Sequence, residues 1–270
     1  MTVTGSLLFY SILMAVLSFL SGLPAFWIQR KFEMALPLMV KLTSGLLIST
    51  CINLVIPEAI ENLSSEKLHS ASFGPLILLG FIVLYLTDIF SEQFTEYLQS
   101  SINLDEGPAH SIARSYFLSV VSNSTTLALL LHCLSDGIIL ATTLLSEPVE
   151  ESSSTWMIIL AIFLHKLPAS FSLTSILLYE KLELNIIIFH LFLFSVSAPI
   201  GAWLTYGLSK IIDFPDTSFV LLFSTGAFLY IGFHTFLSCH TNAKGSNNNW
   251  NFLITIIGMI IPMLVSLLHD

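Results

Sequence analysis

The sequence predicts an all-α polytopic membrane protein, a bundle of eight transmembrane helices. Three observations carry that prediction. The 270 residues are 54% hydrophobic and only 10% charged, where a soluble domain carries roughly 25% charge. Mean hydropathy is +0.85. The apolar residues gather into runs of about 20, the length that crosses a hydrocarbon core, and short polar connections separate the runs.

Taken in order, the spans are Gly5 to Ile28, Pro37 to Ile60, Phe73 to Phe90 and Tyr116 to Leu145, then Thr155 to Tyr179, Ile186 to Leu208, Phe219 to Ser238 and Trp250 to Leu268. The first run has no basic residues before it and is too long for the apolar region of a signal peptide, so it reads as a span. The connections leave no room for an extramembrane domain, and 1–270 reads as a single transmembrane domain. The longest connection, Ser91 to Ser115, holds Glu92, Glu96, Asp105, Glu106, Gly107 and Pro108, and reads as a solvated, flexible cytosolic loop. No sequence repeat is visible, though inverted structural repeats often leave none.

Orientation follows from Lys and Arg in short loops. With the N-terminus outside, the inner side holds Arg30, Lys31, Arg114, Lys181 and Lys244 and the outer side only Lys67 and Lys210. Both termini are therefore expected outside or in a lumen. The net charge of -9 argues against nucleic acid and against attraction to anionic lipid surfaces. The cysteines, Cys51, Cys133 and Cys239, have no paired spacing, which excludes a disulfide framework and a Cys-rich zinc module.

Two polar clusters interrupt the fourth and fifth spans: His132-Cys133-Leu134-Ser135-Asp136-Gly137 and His165-Lys166-Leu167-Pro168-Ala169-Ser170. An ionisable residue at that depth costs about several kcal/mol and marks function by default. On a helix, residues three and four apart share a face. His132 and Asp136 therefore point together, with Cys133 beside them as a further candidate metal or pathway residue, and His165 on a facing helix completes a set of three. Two imidazoles and a carboxylate suit Zn²⁺, and also Mn²⁺ or Fe²⁺. Pro168 is expected to break the fifth helix locally and to free the Leu164 carbonyl. His190 and His234, inside the sixth and seventh spans, admit either a pathway or a packing role, and so does Glu58 at the outer end of the second. Asn53 and Pro57 mark a break near that end. Asp88 closes the third span, and His69, His110 and His269 read as exposed.

At these residues the chain resembles the ZIP (Zrt/Irt-like) divalent metal transporters. The fourth-span pattern of that family, His-Asn-x-x-Asp/Glu-Gly, is matched by His132 to Gly137, and the fifth-span pattern by His165-Lys166-Leu167-Pro168-Ala169. Ile56-Pro57-Glu58-Ala59 is similar to the second-span ending and Thr225-Gly226-Ala227-Phe228-Leu229-Tyr230 to the seventh span. His-Lys-x-Pro-Ala, with Phe189-His190-Leu191 and Ala198-Pro199, looks most like the Golgi-associated branch. The resemblance implies a ZIP-like bundle that moves zinc, or manganese, from outside or a lumen to the cytosol. The ion is then substrate, no resident cofactor is needed, and a homodimer in the lipid bilayer and a Golgi location are implied. Many members bind two ions with a carboxylate where Ala169 stands. Here Lys166 and Ala169 replace those second-site ligands, so one ion is expected, with Lys166 as a tethered cation in the second position.

No GxxxxGK[ST] loop is present, so transport is expected to be secondary or facilitated. Without HExxH or an intramembrane Glu in the fourth and fifth spans, the chain reads as a transporter and not an enzyme. The rival readings are a non-transporting metal-binding receptor or partner and an intramembrane zinc hydrolase.

Overall fold

The computed structural model describes residues 2–32, 36–61, 73–101, 108–146, 153–211, 217–241 and 250–269. Every secondary-structure element among them is helical. This is the outcome that lipid imposes, because a helix satisfies its own backbone polar groups. The helices are α1 (Val3–Lys31), α2 (Leu36–Thr50), α3 (Ile56–Glu61), α4 (Phe73–Ser101) and α5 (Pro108–Val121), followed by α6 (Ser124–Ser146), α7 (Ser153–Tyr179), α8 (Leu184–Leu208), α9 (Thr217–Thr241) and α10 (Trp250–His269). Among the described residues seven helices are long and apolar enough to cross a membrane, and α10 holds a shorter apolar stretch, Phe252–Leu264. The chain is an integral, multi-pass membrane protein.

Three local features depart from the sequence reading. The third span, Phe73–Phe90, keeps its bounds, but its helix α4 continues past it to Ser101, and α5 begins at Pro108. Of the expected flexible loop Ser91 to Ser115, only 102–107 lies between helices, outside the described residues. Charged residues place a segment in water without making it a loop, and Ser91–Ser101 contains no Gly or Pro to stop the helix. The fourth span is not continuous from Tyr116, because the chain breaks at Ser122 and Asn123. Asn123 then caps α6: its Oδ1 accepts from the Thr126 backbone N–H and hydroxyl, each at 2.8 Å. Finally, Pro168 does not break α7, which continues through it to Tyr179. The missing N–H removes one hydrogen bond, and a bundle can hold such a helix together. Pro57 has a larger effect: the turn before it, Cys51–Val55, is π-helical and joins α2 to α3. The proline clashes with the carbonyl four residues back, that of Asn53, and a wider turn relieves the clash.

Asn123→Ala removes the cap of α6. Such a loss costs about 1 kcal/mol, so the purified variant should melt a few degrees lower, measured by thermal unfolding in detergent.

The bundle closes through glycines at helix crossings. Gly45 of α2 lies on the backbone of Thr255 in α10, and Gly258 of α10 on that of Leu42. Gly80 of α4 and Gly226 of α9 make the same reciprocal pair, and so do Gly137 of α6 and Gly201 of α8. Small residues let backbones approach where lipid offers no hydrophobic drive between helices.

The packing partners show an internal order. α2 packs on α10 as α9 does on α4; α6 packs on α8 as α7 does on α1; α2 packs on α7 as α9 does on α6. Exchanging α1 with α8, α2 with α9, α4 with α10 and α6 with α7 leaves this scheme unchanged. Under the exchange α6 and α7 form the central pair. A shift of 33 positions lays His132, Cys133, Asp136 and Gly137 over His165, Lys166, Ala169 and Ser170.

Candidate metal centre

The two polar clusters meet in the interior of the bundle. His132, Asp136 and His165 are each 1% exposed, and Lys166 is 2% exposed. One ligand atom from each of His132, Asp136 and His165 lies within 4.8 Å of the others. Asp136 Oδ1 is 3.6 Å from His132 Nε2 and 3.5 Å from His165 Nε2. The two histidine rings sit 5.4 Å apart between centroids. His132 and Asp136 come from one helix face, four residues apart on α6, and α7 supplies His165.

A neighbouring helix fixes the ring of His132. Phe228 of α9 stacks on it, 4.6 Å between centroids and 6° from parallel. Its Nδ1 is 3.2 Å from Ser224 Oγ, while the Ser224 hydroxyl donates to the Leu221 carbonyl at 3.3 Å. With that proton placed, Nδ1 is the donor and Nε2 presents a lone pair toward Asp136. This is the arrangement by which outer groups hold a metal-binding histidine. Among the described residues, His132 Nε2 and Asp136 Oδ1 are buried with no hydrogen-bond partner. Buried polar atoms left this way need an explanation, and a shared cation supplies one.

The other oxygen of Asp136 is already engaged. Lys166 Nζ donates to Oδ2 at 3.3 Å and to Cys133 Sγ at 3.2 Å. The ammonium also lies over the Phe194 ring, 5.3 Å from its centroid. Ala169, buried beside them, has no ligand atom to offer. The carboxylate is thus divided, with one oxygen toward the imidazoles and one toward an ammonium.

Residues 104–268 match the family model described as ZIP Zinc transporter. The chain belongs to the ZIP zinc transporter family. Curated relatives agree. A protein named Zinc transporter ZIP9 from Micropogonias undulatus is 30% identical over 223 residues, covering 76% of this chain and 67% of the relative. Another with that name, from Xenopus tropicalis, is 28% identical over 314 residues and covers 98% of each chain. A third, from Macaca fascicularis, is 32% identical over 161 residues, 53% of this chain and 67% of the relative. Proteins of this family are transporters and not enzymes, which removes the hydrolase reading.

Within this ZIP protein the weaker sequence candidates fall into separate places. His190 of α8 is buried away from the cluster, with Nε2 3.0 Å from Ser119 Oγ and Nδ1 2.7 Å from Thr126 Oγ1. It ties α5 and α6 to α8. The Asn123 amide extends the chain of contacts to Glu180, donating at 2.7 Å. His234 of α9 is half-exposed, 3.6 Å from Asp88 Oδ2, which also accepts from the Tyr230 hydroxyl at 2.6 Å. Cys133 is buried, and its sulfur faces Lys166. Asn53 donates to the carbonyl and hydroxyl of Ser49, both at 3.0 Å, and so braces the π-turn. His69 lies outside the described residues, and so do the side chains of Glu58, His110, Cys239 and His269.

Sequence reasoning does not single out Ser224, Phe228 or Phe194. Phe228 stands inside the seventh-span pattern, but its stacking role needs a partner 96 positions away. Ser224 and Phe194 look like ordinary residues of an apolar helix.

Proposed function

We propose that the protein carries one Zn²⁺ per cycle, with Mn²⁺ as the second candidate, from a lumen or the outside into the cytosol. His132, Asp136 and His165 hold the ion between α6 and α7. The observation that carries this reading is the convergence of three ligand atoms from two membrane-spanning helices within 4.8 Å. Two nitrogens and one oxygen form a zinc-compatible set, and an open position left for water or an entering ligand suits release. Lys166 and Ala169 limit the seat to a single ion, because the first fills the neighbouring position with charge and the second offers no donor. The relatives are named zinc transporters, which supports zinc as the first candidate. The loops supply no ATP-binding motif, so the ion's own gradient or a coupled ion drives the flux. A Golgi membrane fits the branch that the sequence resembles.

The test is uptake of Zn²⁺ and Mn²⁺ into proteoliposomes by the native chain and by His165→Ala. Removing one of three ligands should weaken apparent affinity about a hundredfold or more, since loss of an outer-shell partner alone costs about tenfold to a hundredfold. Native uptake with an unchanged variant would move the pathway away from this cluster. The second reading is a metal-binding receptor that does not transport, and Ala169, where a carboxylate would help bridge two ions, favours it. Metal binding with no flux of either ion in the native chain would establish that reading instead.

A further inference from the structure

We propose that Lys166 is the counter-ion of the empty carrier: it keeps the unloaded seat neutral so that the transporter can return without cargo. The inference rests on the carrier reading above. A carrier completes a net cycle only if its empty seat also crosses between the two faces. That empty seat contains Asp136, 1% exposed, and an unpaired carboxylate at such depth is strongly disfavoured. Among the described residues Lys166 is the one lysine or arginine in contact with it, at 3.3 Å.

The division of the carboxylate lets one lysine serve both states. The ion's seat lies on the Oδ1 side, where the two imidazoles converge. The ammonium lies on the Oδ2 side, held by Cys133 Sγ at 3.2 Å and by the Phe194 ring. These additional partners anchor Lys166 whether or not an ion is present, so loading need not displace it. With neutral imidazoles the empty seat carries one negative and one positive charge, which sum to zero. The loaded seat carries only the charge of its ion. Under the exchange that relates α6 to α7, Lys166 occupies the position of Cys133 and Ala169 that of Asp136.

The experiment separates two modes of transport. Net uptake into zinc-free vesicles needs the empty carrier to return. Exchange of labelled against unlabelled Zn²⁺ at equal concentrations needs only the loaded carrier to move. Both are measured with the membrane potential clamped to zero, on the native chain, on Lys166→Met, which keeps the length without the charge, and on Lys166→Gln, which keeps donors for Asp136. Net uptake should fall about tenfold or more further than exchange does in both variants. Equal losses in the two modes would overturn the inference, because Lys166 would then serve binding or folding. Unchanged net uptake would overturn it as well. If the native chain shows neither mode, the carrier reading itself fails, and this inference fails with it.

Discussion

Asp136→Ala should reduce zinc uptake by two to three orders of magnitude, the largest functional effect expected at any single position. Three losses coincide. The oxygen that lies 3.5 and 3.6 Å from the two imidazole nitrogens disappears. The one acid in the cluster disappears, so the ion meets no compensating negative charge. Lys166 then remains buried without its anion, and its ammonium repels an approaching dication. Removing one partner of a buried pair costs about 3–5 kcal/mol, which alone corresponds to the predicted range at about 1.4 kcal/mol per factor of ten. Asp136→Asn keeps the shape and should lose nearly as much, because the charge matters more than the volume. The measurement is initial rate against zinc concentration in proteoliposomes, with protein content checked per vesicle. Uptake within tenfold of native in either variant would remove Asp136 from the pathway.

Gly137→Val should give a large loss of stability. A Cβ at this position overlaps the carbonyl of Ala198 and approaches the amide nitrogen of Ala202, both backbone atoms of α8. Backbone cannot rotate aside as a flexible side chain does. The reciprocal contact, Gly201 on Leu134, ties the same two helices from the other side. The helices must separate, and the cost is about 3 kcal/mol or more. In a chain of this size that lowers the apparent Tm by roughly ten degrees. Helix α6 also carries His132 and Asp136, so uptake should fall with stability. Gly207→Ala is the control. An added Cβ there meets nothing within 4 Å, and alanine favours a helix, so its Tm should equal or slightly exceed the native value. Thermal unfolding of the three purified proteins in one detergent checks both statements.

The sequence makes the central residues legible because lipid removes the ordinary explanations for polarity. His132, Asp136, His165 and Lys166 stand out in runs where any charge is costly, and helical spacing alone places His132 and Asp136 on one face. The structure brings them together as that spacing implies. What the sequence hides is of two kinds. Boundaries are hidden where polarity and backbone conformation part company, as in the polar end of α4 and the break before α6. The second had a readable sign: Asn123 followed by Ser124, Thr125 and Thr126 is a good helix start. Partners from distant helices are hidden altogether. Phe228, Ser224 and Phe194 orient His132 and Lys166 through contacts that have no local pattern. His190, for which the sequence admits either a pathway or a packing role, lies within hydrogen-bond reach of two hydroxyls that the sequence does not single out.

The most direct test of the central claim is zinc X-ray absorption on the purified protein with one equivalent of Zn²⁺, native and His165→Ala. The account predicts a single site with two imidazole nitrogens near 2.0–2.1 Å and carboxylate oxygen, no sulfur, and one imidazole fewer in the variant. A sulfur ligand, an unchanged histidine count in the variant, or a second tightly bound ion per chain would contradict it.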